Sequence, residues 1–121
     1  MASNPIIEKL AGSVQTTNTT ITNIITIPTV SDRAYLISGM ICGHAAGTNQ
    51  GMGVVLEACY RNDSGTVTEV GARTEFLLVR DDGVWTYNFL ISTTNIILRV
   101  GGNTGDTVEW GAFVDIVVPQ L

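Results

Sequence analysis

Cys42 and His44 are the residues whose types and spacing come nearest to a catalytic pair. They stand on the same side of an extended chain, so a thiol could lie beside an imidazole. Nucleophilic catalysis also needs a third group that orients the base. Moreover, Cys42 sits in the apolar segment AYLISGMIC, where a free cysteine behaves as a small hydrophobic residue. We therefore predict no catalytic residue and expect that the chain is not an enzyme.

The two cysteines, Cys42 and Cys59, are too far apart in the expected strand pairing to form a disulfide. If the strands on either side of the loop 43–51 pair symmetrically about its centre, Cys42 faces Met52. Cys59 then faces Tyr35. The two sulfur atoms would be roughly 23 Å apart at about 3.3 Å per residue, whereas a disulfide needs Cα atoms within about 7 Å. The sequence therefore predicts two free thiols.

Five of the six aspartates fall at predicted turns, where aspartate is favoured because its side chain bonds the nearby backbone. No segment has the spacing of a helix-flanked calcium loop. Glu69, Arg73 and Glu75 share one strand face with a cation between two acids, which favours an ordinary solvated face over a glycosidase site. We predict no metal site and no cofactor, and a weak surface calcium site where loops converge is left open. The turn aspartates are Asp32, Asp63, Asp81, Asp82 and Asp106.

The composition predicts a single apolar domain that another protein partly covers. Of the 121 residues, 45% are hydrophobic and only 14% are charged, against about 25% charged residues in an average globular protein. A chain of this length buries enough surface for a core without a metal or a disulfide. Because so charge-poor a chain has less polar surface than a monomer usually shows, we expect a partner to cover part of it.

The basic residues and the amino terminus argue against several classes of partner. The net charge is −5 and the six Lys and Arg residues are scattered, so no cationic surface for DNA or RNA is expected. No apolar run approaches the roughly 18 residues that a membrane helix needs. The first residues, MASNPIIEKLAG, lack the pattern of a secretory signal. We expect a protein made in a cytosol that binds neither nucleic acid nor membrane.

Abundant Val, Ile and Thr, interrupted by Gly-rich turns, indicate an all-β domain. Towards the carboxy terminus apolar and polar residues alternate, as in antiparallel sheets with one buried face, and Trp85 and Trp110 fall on the apolar side. We predict an antiparallel β-sandwich of jelly-roll type with about seven to eight strands over residues 16–121. An amino-terminal arm at 1–15 would precede it. The predicted strands are 19–28, 33–43, 51–61, 67–80, 84–91, 94–101 and 106–118.

The amino-terminal half of the chain is almost without charge. Between Leu10 and Leu56 the only charged residues are Asp32 and Arg33, and the strand 33–43 is apolar on both faces. Such a strand is either central in its domain or part of a subunit interface. Two uncharged strands in sequence would otherwise promote aggregation. The predicted interface residues are Thr20, Thr22, Ile24, Tyr35, Ile37 and Ile41. The alternative, that the Thr residues are ordinary solvated positions, is left open.

The closing segment TNIILRVGGNTGDTVEWGAFVDIVVPQL, residues 94–121, combines an apolar strand, a Gly-rich turn and a strand with a single Trp. It resembles the terminal hairpin of small all-β virion proteins of tailed bacteriophages, and the lysine-poor, Thr- and Gly-rich chain is similar to that class. The resemblance implies a capsid decoration (cement) protein, or a collar or tail component. It also implies a homo-oligomer, with a trimer expected, that binds the major capsid protein or another virion protein. Its location would be the virion, after assembly in the host cytoplasm.

Two non-enzymatic functions are therefore considered. In the leading one, the chain docks on a phage capsid as a decoration protein and stabilises the shell, because it binds only the assembled form. In the alternative, it is a receptor- or carbohydrate-binding module of a tail, fibre or collar. That module would use the loops 43–51 and 62–66 with Tyr60 or Phe113, and carbohydrate is a partner only in this alternative.

Overall fold

The structure, a computed structural model, describes residues 5–119, except for the side chains of Leu77 and Leu78. Within these residues the regular structure is nine β-strands, all paired antiparallel. The strands are β1 (Ile6–Thr16), β2 (Thr22–Pro28), β3 (Arg33–Ala45), β4 (Gln50–Asp63), β5 (Thr66–Glu69), β6 (Thr74–Arg80), β7 (Thr86–Ser92), β8 (Asn95–Gly101) and β9 (Val108–Val118). In this part of the chain no helix has the length and apolar character needed to cross a membrane.

The strands form two packed sheets, which confirms the predicted all-β sandwich. The larger sheet has six strands in the order β1-β9-β3-β4-β5, with β6 also paired to β4, and the smaller has the order β2-β8-β7. The jelly-roll topology stays a prediction. The long β3–β4 hairpin places two consecutive strands in the larger sheet.

The β3–β4 hairpin forms the middle of the larger sheet. It closes with the pair Ala45–Gln50 around a short turn in which Asn49 has a φ of 52°, a left-handed conformation that asparagine tolerates. Since the turn has an even number of residues, Cys42 faces Gly53, one residue beyond the partner expected from symmetric pairing. Both cysteines are free, as predicted.

Strand β1 lies where an amino-terminal arm was expected, so the boundary at residue 16 is corrected. The whole of Ile6–Thr16 pairs with β9, and its first residue lies opposite Val118. Leu10 and Val14 pack against the core, while the residues between them are mostly exposed. The sequence hid this strand because apolar residues do not mark one face: exposed Ile7 lies on the outer side, and the inner side includes Gly12. Residues 1–4 of the expected arm lie outside the described residues.

The predicted strand 67–80 is two strands, β5 and β6. After Glu69 the chain leaves its pairing with β4, bends at Gly71 with a φ of 70°, and returns to β4 as β6. A positive φ interrupts the pleat of a strand and favours glycine. The two strands therefore occupy successive parts of one edge of β4.

The core lies between the sheets and is centred on two tryptophans. The rings of Trp85 and Trp110 meet edge to face with centroids 5.4 Å apart, which confirms that both belong to the core. Trp110 Nε1 donates to Thr16 Oγ1 at 2.9 Å, and Trp85 Nε1 donates to Asp106 Oδ2 at 3.4 Å, so each buried N–H has a partner. Fully buried aliphatic side chains nearby include Ile37, Leu56, Ile96, Leu98 and Val114, each contributing about 1.5–3 kcal/mol by its burial.

On one side of the sandwich the two sheets approach each other at Gly12 of β1. The pairing of β2 with β8 shifts register between Asn23 and Ile25, so Ile24 forms a bulge. A Cβ on Gly12 would collide with the backbone carbonyl oxygen of Ile24. This approach of β1 to β2 therefore requires glycine.

On the opposite side, side chains join the segment around β6 to strand β7. Arg73 Nη2 donates to the Phe89 carbonyl oxygen at 3.5 Å, and the Tyr87 hydroxyl donates to Glu75 Oε2 at 3.3 Å. Strand β7 is the end strand of its sheet, so Arg73 covers one of the backbone groups that such an edge exposes.

Candidate functional site

Three of the six predicted interface residues lie in the core, which corrects their assignment. Tyr35, Ile37 and Ile41 are at most 5% exposed and face the smaller sheet from β3. Because β3 is apolar on both faces, its sequence did not show which face turns inward. The exposed apolar face of β3 is the other one, where Leu36 is 51% and Met40 is 44% exposed.

The other three predicted interface residues lie at the start of β2. Thr20 is exposed, and Thr22 and Ile24 are half-buried. The Thr22 hydroxyl donates to the Thr20 carbonyl oxygen at 3.2 Å, and the Thr20 N–H donates to Asn18 Oδ1 at 2.9 Å. These polar groups organise the chain locally, and a role for the three residues in an interface stays a prediction.

Cys42 and His44 are both exposed on the outer face of β3. They share a side of the strand as their spacing predicted, but the expected burial of Cys42 is corrected. In the sheet His44 lies between Gly51 of β4 and Glu109 of β9, and Glu109 accepts a hydrogen bond from Gln15. Within residues 5–119 no hydrogen bond joins the thiol to the imidazole, so the two are not assembled as a nucleophile and its base.

The outer face of the larger sheet carries two adjacent rows of cross-strand neighbours, and such neighbours share a face. The first, here called the apolar row, consists of Ala11, Phe113, Met40, Val55 and Phe76 on β1, β9, β3, β4 and β6. The second, here called the open row, consists of Ser13, Gly111, Cys42, Gly53 and Val79 on the same strands. Bulky side chains in one row therefore stand beside two glycines in the next.

The open row forms the floor of a depression of about 470 Å³. Gly53 and Gly111 leave the backbone uncovered on both sides of Cys42, and the side chains of Met40 and Phe113 stand at its edge. Apart from the Cys42 thiol, every side chain that lines the depression is a hydrocarbon or a thioether. The depression is therefore suited to an apolar group.

Exposed apolar side chains continue around the depression. Phe76, which is 57% exposed, borders it on β6. Leu36 and Ile7, which are 51% and 67% exposed, lie beyond the row of Lys9, Asp115 and Ser38. The charged residues of this face lie in the neighbouring rows and are mostly acidic: Lys9 pairs with Asp115 at 3.5 Å, and Glu57 and Glu109 lie in those rows too. An exposed apolar patch such as the depression with Phe76 marks interaction sites on soluble proteins.

The two glycines of the open row differ from the glycines on the inner face of β3. A Cβ on Gly43 would lie 2.6 Å from the Trp110 ring, and one on Gly39 would lie 3.2 Å from Val114, so the core requires both. A Cβ on Gly111 would meet nothing within 4 Å, and one on Gly53 would only touch Val79 at 3.9 Å. Glycine inside a strand costs about 0.5–1 kcal/mol relative to alanine. The fold therefore gains nothing from glycine at these two positions.

Two of the turn aspartates bond to neighbouring segments of the chain. Asp81 Oδ2 accepts from the Gly51 N–H at 2.8 Å, and Asp82 Oδ2 accepts from Asn103 Nδ2 at 3.1 Å. In the described part of the chain, no group of three or more His, Cys, Asp or Glu side chains is placed to hold a metal ion.

Glu69 and Arg73 form a partly buried ion pair, which corrects the expected solvated face. Arg73 Nε donates to Glu69 Oε1 at 3.2 Å, and the guanidinium lies 5.9 Å from the centroid of the Phe89 ring. Tyr60, opposite Glu69 in the sheet, is 1% exposed, and desolvation by burial raises its pKa to about 12. Tyr60 is therefore removed from the predicted carbohydrate site, whereas Phe113 is partly exposed, as its place on the outer face predicted.

No protein-family model and no curated protein matches the chain. Among solved structures, one similar chain is the tailspike protein gp49 of Acinetobacter baumannii bacteriophage Fri1, a capsular polysaccharide depolymerase, with a TM-score of 0.54 and 15% identity. Another is the tailspike protein of Acinetobacter baumannii phage AM24, with a TM-score of 0.50 and 10% identity. The fold is similar to part of phage tailspikes. The two matches cover 97% and 95% of this chain, which spans only 20% and 26% of those chains.

At the level of the fold, this similarity supports the expected resemblance to bacteriophage virion proteins. Both neighbours are tail proteins, so the resemblance to capsid decoration proteins gains no support from them. At identities of 15% and 10% the similarity concerns the fold and carries no residue roles.

The sequence-based prediction missed the open row. The signal that was present is glycine inside predicted strands, since Gly53 falls within 51–61 and Gly111 within 106–118. Glycine in a strand interior often marks a place where another group approaches closely. That signal identifies positions but does not say which face they occupy, which required the register of the sheet.

Proposed function

We propose that this chain is a non-enzymatic virion protein of a tailed phage, a β-sandwich module of the tail spike or tail fibre. It attaches to other protein through the outer face of its larger sheet. The depression of the open row carries this proposal, because an exposed apolar hollow bordered by exposed apolar side chains suits protein docking. The similarity of its fold to segments of two tailspikes supports a tail location over a capsid location.

The chemistry of the depression favours protein over carbohydrate as its occupant. A sugar presents hydroxyl groups, and a buried polar group without a hydrogen-bond partner costs free energy. The side chains around the depression offer one thiol and otherwise only apolar groups. An aliphatic or aromatic side chain of another protein would fill it without such a cost.

Polysaccharide cleavage is not part of the proposal. A glycosidase needs two free carboxyl groups that flank its substrate. On the outer face, Asp115 pairs with Lys9 at 3.5 Å and Glu109 accepts a hydrogen bond from Gln15. Glu57 is the remaining carboxyl group in the described rows, so the face does not present a free pair. We expect the isolated chain to release no new reducing ends from capsular polysaccharide, and a sustained release would contradict the non-enzymatic assignment.

Immunogold electron microscopy tests the location. An antibody raised against the purified chain is applied to phage particles that encode it, and pre-immune serum serves as the control. We expect gold at the tail tip or along the fibres. Label over the capsid shell would restore the decoration function, and intact particles without label would show that the chain is not a virion component.

A receptor-binding role is the second candidate, favoured by the partly exposed ring of Phe113 at the edge of the depression. Aromatic rings stack on the apolar faces of sugars in many binding modules. A glycan array probed with the purified chain separates the two candidates. Binding that is lost in Phe113→Ala would support the second, and an array without signal would leave docking to protein as the function.

A further inference from the structure

We propose that the docking face receives a second copy of this chain, packed face to face about a two-fold axis, in place of the trimer expected from the resemblance. The axis runs across the strands, between the apolar row and the open row. This inference names the partner of the face described under the proposed function and rests on that proposal. It concerns the purified chain in solution, so its test is independent of where the chain sits in a particle.

The order of the two rows makes the face complementary to itself. A two-fold axis that runs across the strands keeps each strand opposite its own copy and reverses the order of the rows. The apolar row of one copy then lies over the open row of the other, and the same contact occurs twice. The facing pairs are Phe113 with Gly111, Met40 with Cys42, and Val55 with Gly53.

The glycines of the open row provide a second, independent observation. Neither Gly53 nor Gly111 has a positive φ, and the space above each is open in the single chain. Their lack of a side chain is used only when a bulky group approaches from outside. In the pair, Val55 and Phe113 of the second copy are such groups.

The size of the face agrees with a stable pair. Five strands about 4.8 Å apart and four rows about 6.6 Å apart give a face of roughly 600 Å² in projection, half of it from the two central rows. Stable interfaces bury about 800 Å² of accessible surface on each partner, and accessible surface exceeds projected area. The centre of the contact is apolar, and the charged residues fall in the flanking rows, as in other protein interfaces.

The flanking rows give the pair a polar rim. The row of Lys9, Asp115, Ser38 and Glu57 would face the row of Gln15, Glu109, His44 and Gly51 of the second copy. His44 then faces Ser38 and lies between the carboxylates of Asp115 and Glu57. Asp115 also faces Glu109 of the second copy, but each of these acids has a partner in its own chain, Lys9 for Asp115 and Gln15 for Glu109.

Sedimentation equilibrium of the full chain, with Gly111→Leu as the critical variant, tests the pairing. We expect a dimer at tens of micromolar, the range of a modest interface, and at least tenfold weaker association in Gly111→Leu. The matched control is Gly83→Leu, since a Cβ on Gly83 also meets nothing within 4 Å but lies in the turn between β6 and β7, outside both rows. We expect Gly111→Leu to melt no lower than the control, because the substitution fills open space.

Thiol labelling provides a second readout. In the pair Met40 of the second copy covers Cys42, so Cys42 should react with a maleimide more slowly as the chain concentration rises, whereas in Gly111→Leu its rate should stay constant. Cys42→Ser identifies which thiol reacts. A monomeric or trimeric mass for the full chain, or a dimer that Gly111→Leu leaves intact, would overturn the inference whatever the immunogold result.

Discussion

Gly12 shows how much the packing of the two sheets depends on one missing side chain. Its Cα position faces the carbonyl oxygen of Ile24, which the bulge in β2 turns towards β1. Backbone cannot move aside as a flexible side chain can, so any larger residue must push the strands apart. The sequence alone shows a glycine in a half-polar segment and does not reveal this contact.

We expect Gly12→Ala to destabilise the fold by about 2 kcal/mol or more, because it overpacks a backbone contact. Urea unfolding followed by tryptophan fluorescence measures the change. Gly47→Ala is the control, since a Cβ there meets nothing within 4 Å. Equal stability of the two variants would show that β1 does not pack on β2 at this point.

Tyr60 should make the stability of the protein fall at high pH. Burial raises its pKa from about 10 to about 12, so the folded chain favours the neutral phenol. The unfolded chain has the ordinary tyrosine pKa of about 10, so this contribution to stability is complete below pH 10. It is lost as the pH rises from 10 through 12, and the total loss is about 2–3 kcal/mol. Unfolding measured at pH 8 and at pH 11.5 should show the loss, and Tyr60→Phe should show less of it.

The same variant tests the hydroxyl group itself at neutral pH. Among the described residues the Tyr60 hydroxyl is buried without a hydrogen-bond partner, and an unsatisfied buried group is costly. We expect Tyr60→Phe to be as stable as the parent chain or more stable at pH 7. A loss of more than about 1 kcal/mol would reveal a hydrogen bond, worth about that much, to a group such as an internal water.

At the scale of the elements, the alternation of apolar and polar residues predicted the carboxy-terminal strands and their inward faces. The same pattern did not identify β1 as a strand or the inward face of β3. In β9, apolar inward and more polar outward residues distinguish the faces, as in most antiparallel strands. In β3 both faces are apolar, so the core face and the exposed face could not be separated without the register. In β1 the inward positions include Gly12, which weakens the pattern that identifies a strand.

The β6–β7 side of the sandwich should depend on Arg73. This residue joins Glu69, the Phe89 ring and the Phe89 carbonyl oxygen. We expect Arg73→Leu to lower stability by only about 1 kcal/mol, since the ion pair is partly exposed. Its main effect should be faster hydrogen exchange in β7, compared with Arg61→Leu, whose ion pair with Asp63 is exposed. Unchanged exchange in β7 would contradict the role of Arg73.

At the scale of the whole molecule, the all-β sandwich was predictable because β-branched residues, turns and a charge-poor composition all indicate it. The larger sheet's outer face was not, because its properties arise from residues on five strands that are far apart in the sequence. Which residues form this face depends on the register of the strands, because a shift of one residue exchanges the two faces of a strand.

Deleting residues 1–15 distinguishes a strand from an arm. We expect the truncated chain to aggregate or to lose several kcal/mol of stability, because β9 becomes an uncovered edge strand and the core loses Leu10 and Val14. Deletion of residues 1–4 is the control. Thermal unfolding and light scattering measure both, and a truncated chain as stable as the control would restore the arm.

The pairing of β1 with β9 also determines how the domain would respond to force. Ile6 lies opposite Val118, so a load applied to the two ends peels these strands apart from one end, breaking hydrogen bonds in sequence rather than shearing them together. Such a domain unfolds at low force. In a tail, a module of this kind would stretch readily unless neighbouring proteins hold β1 and β9 together.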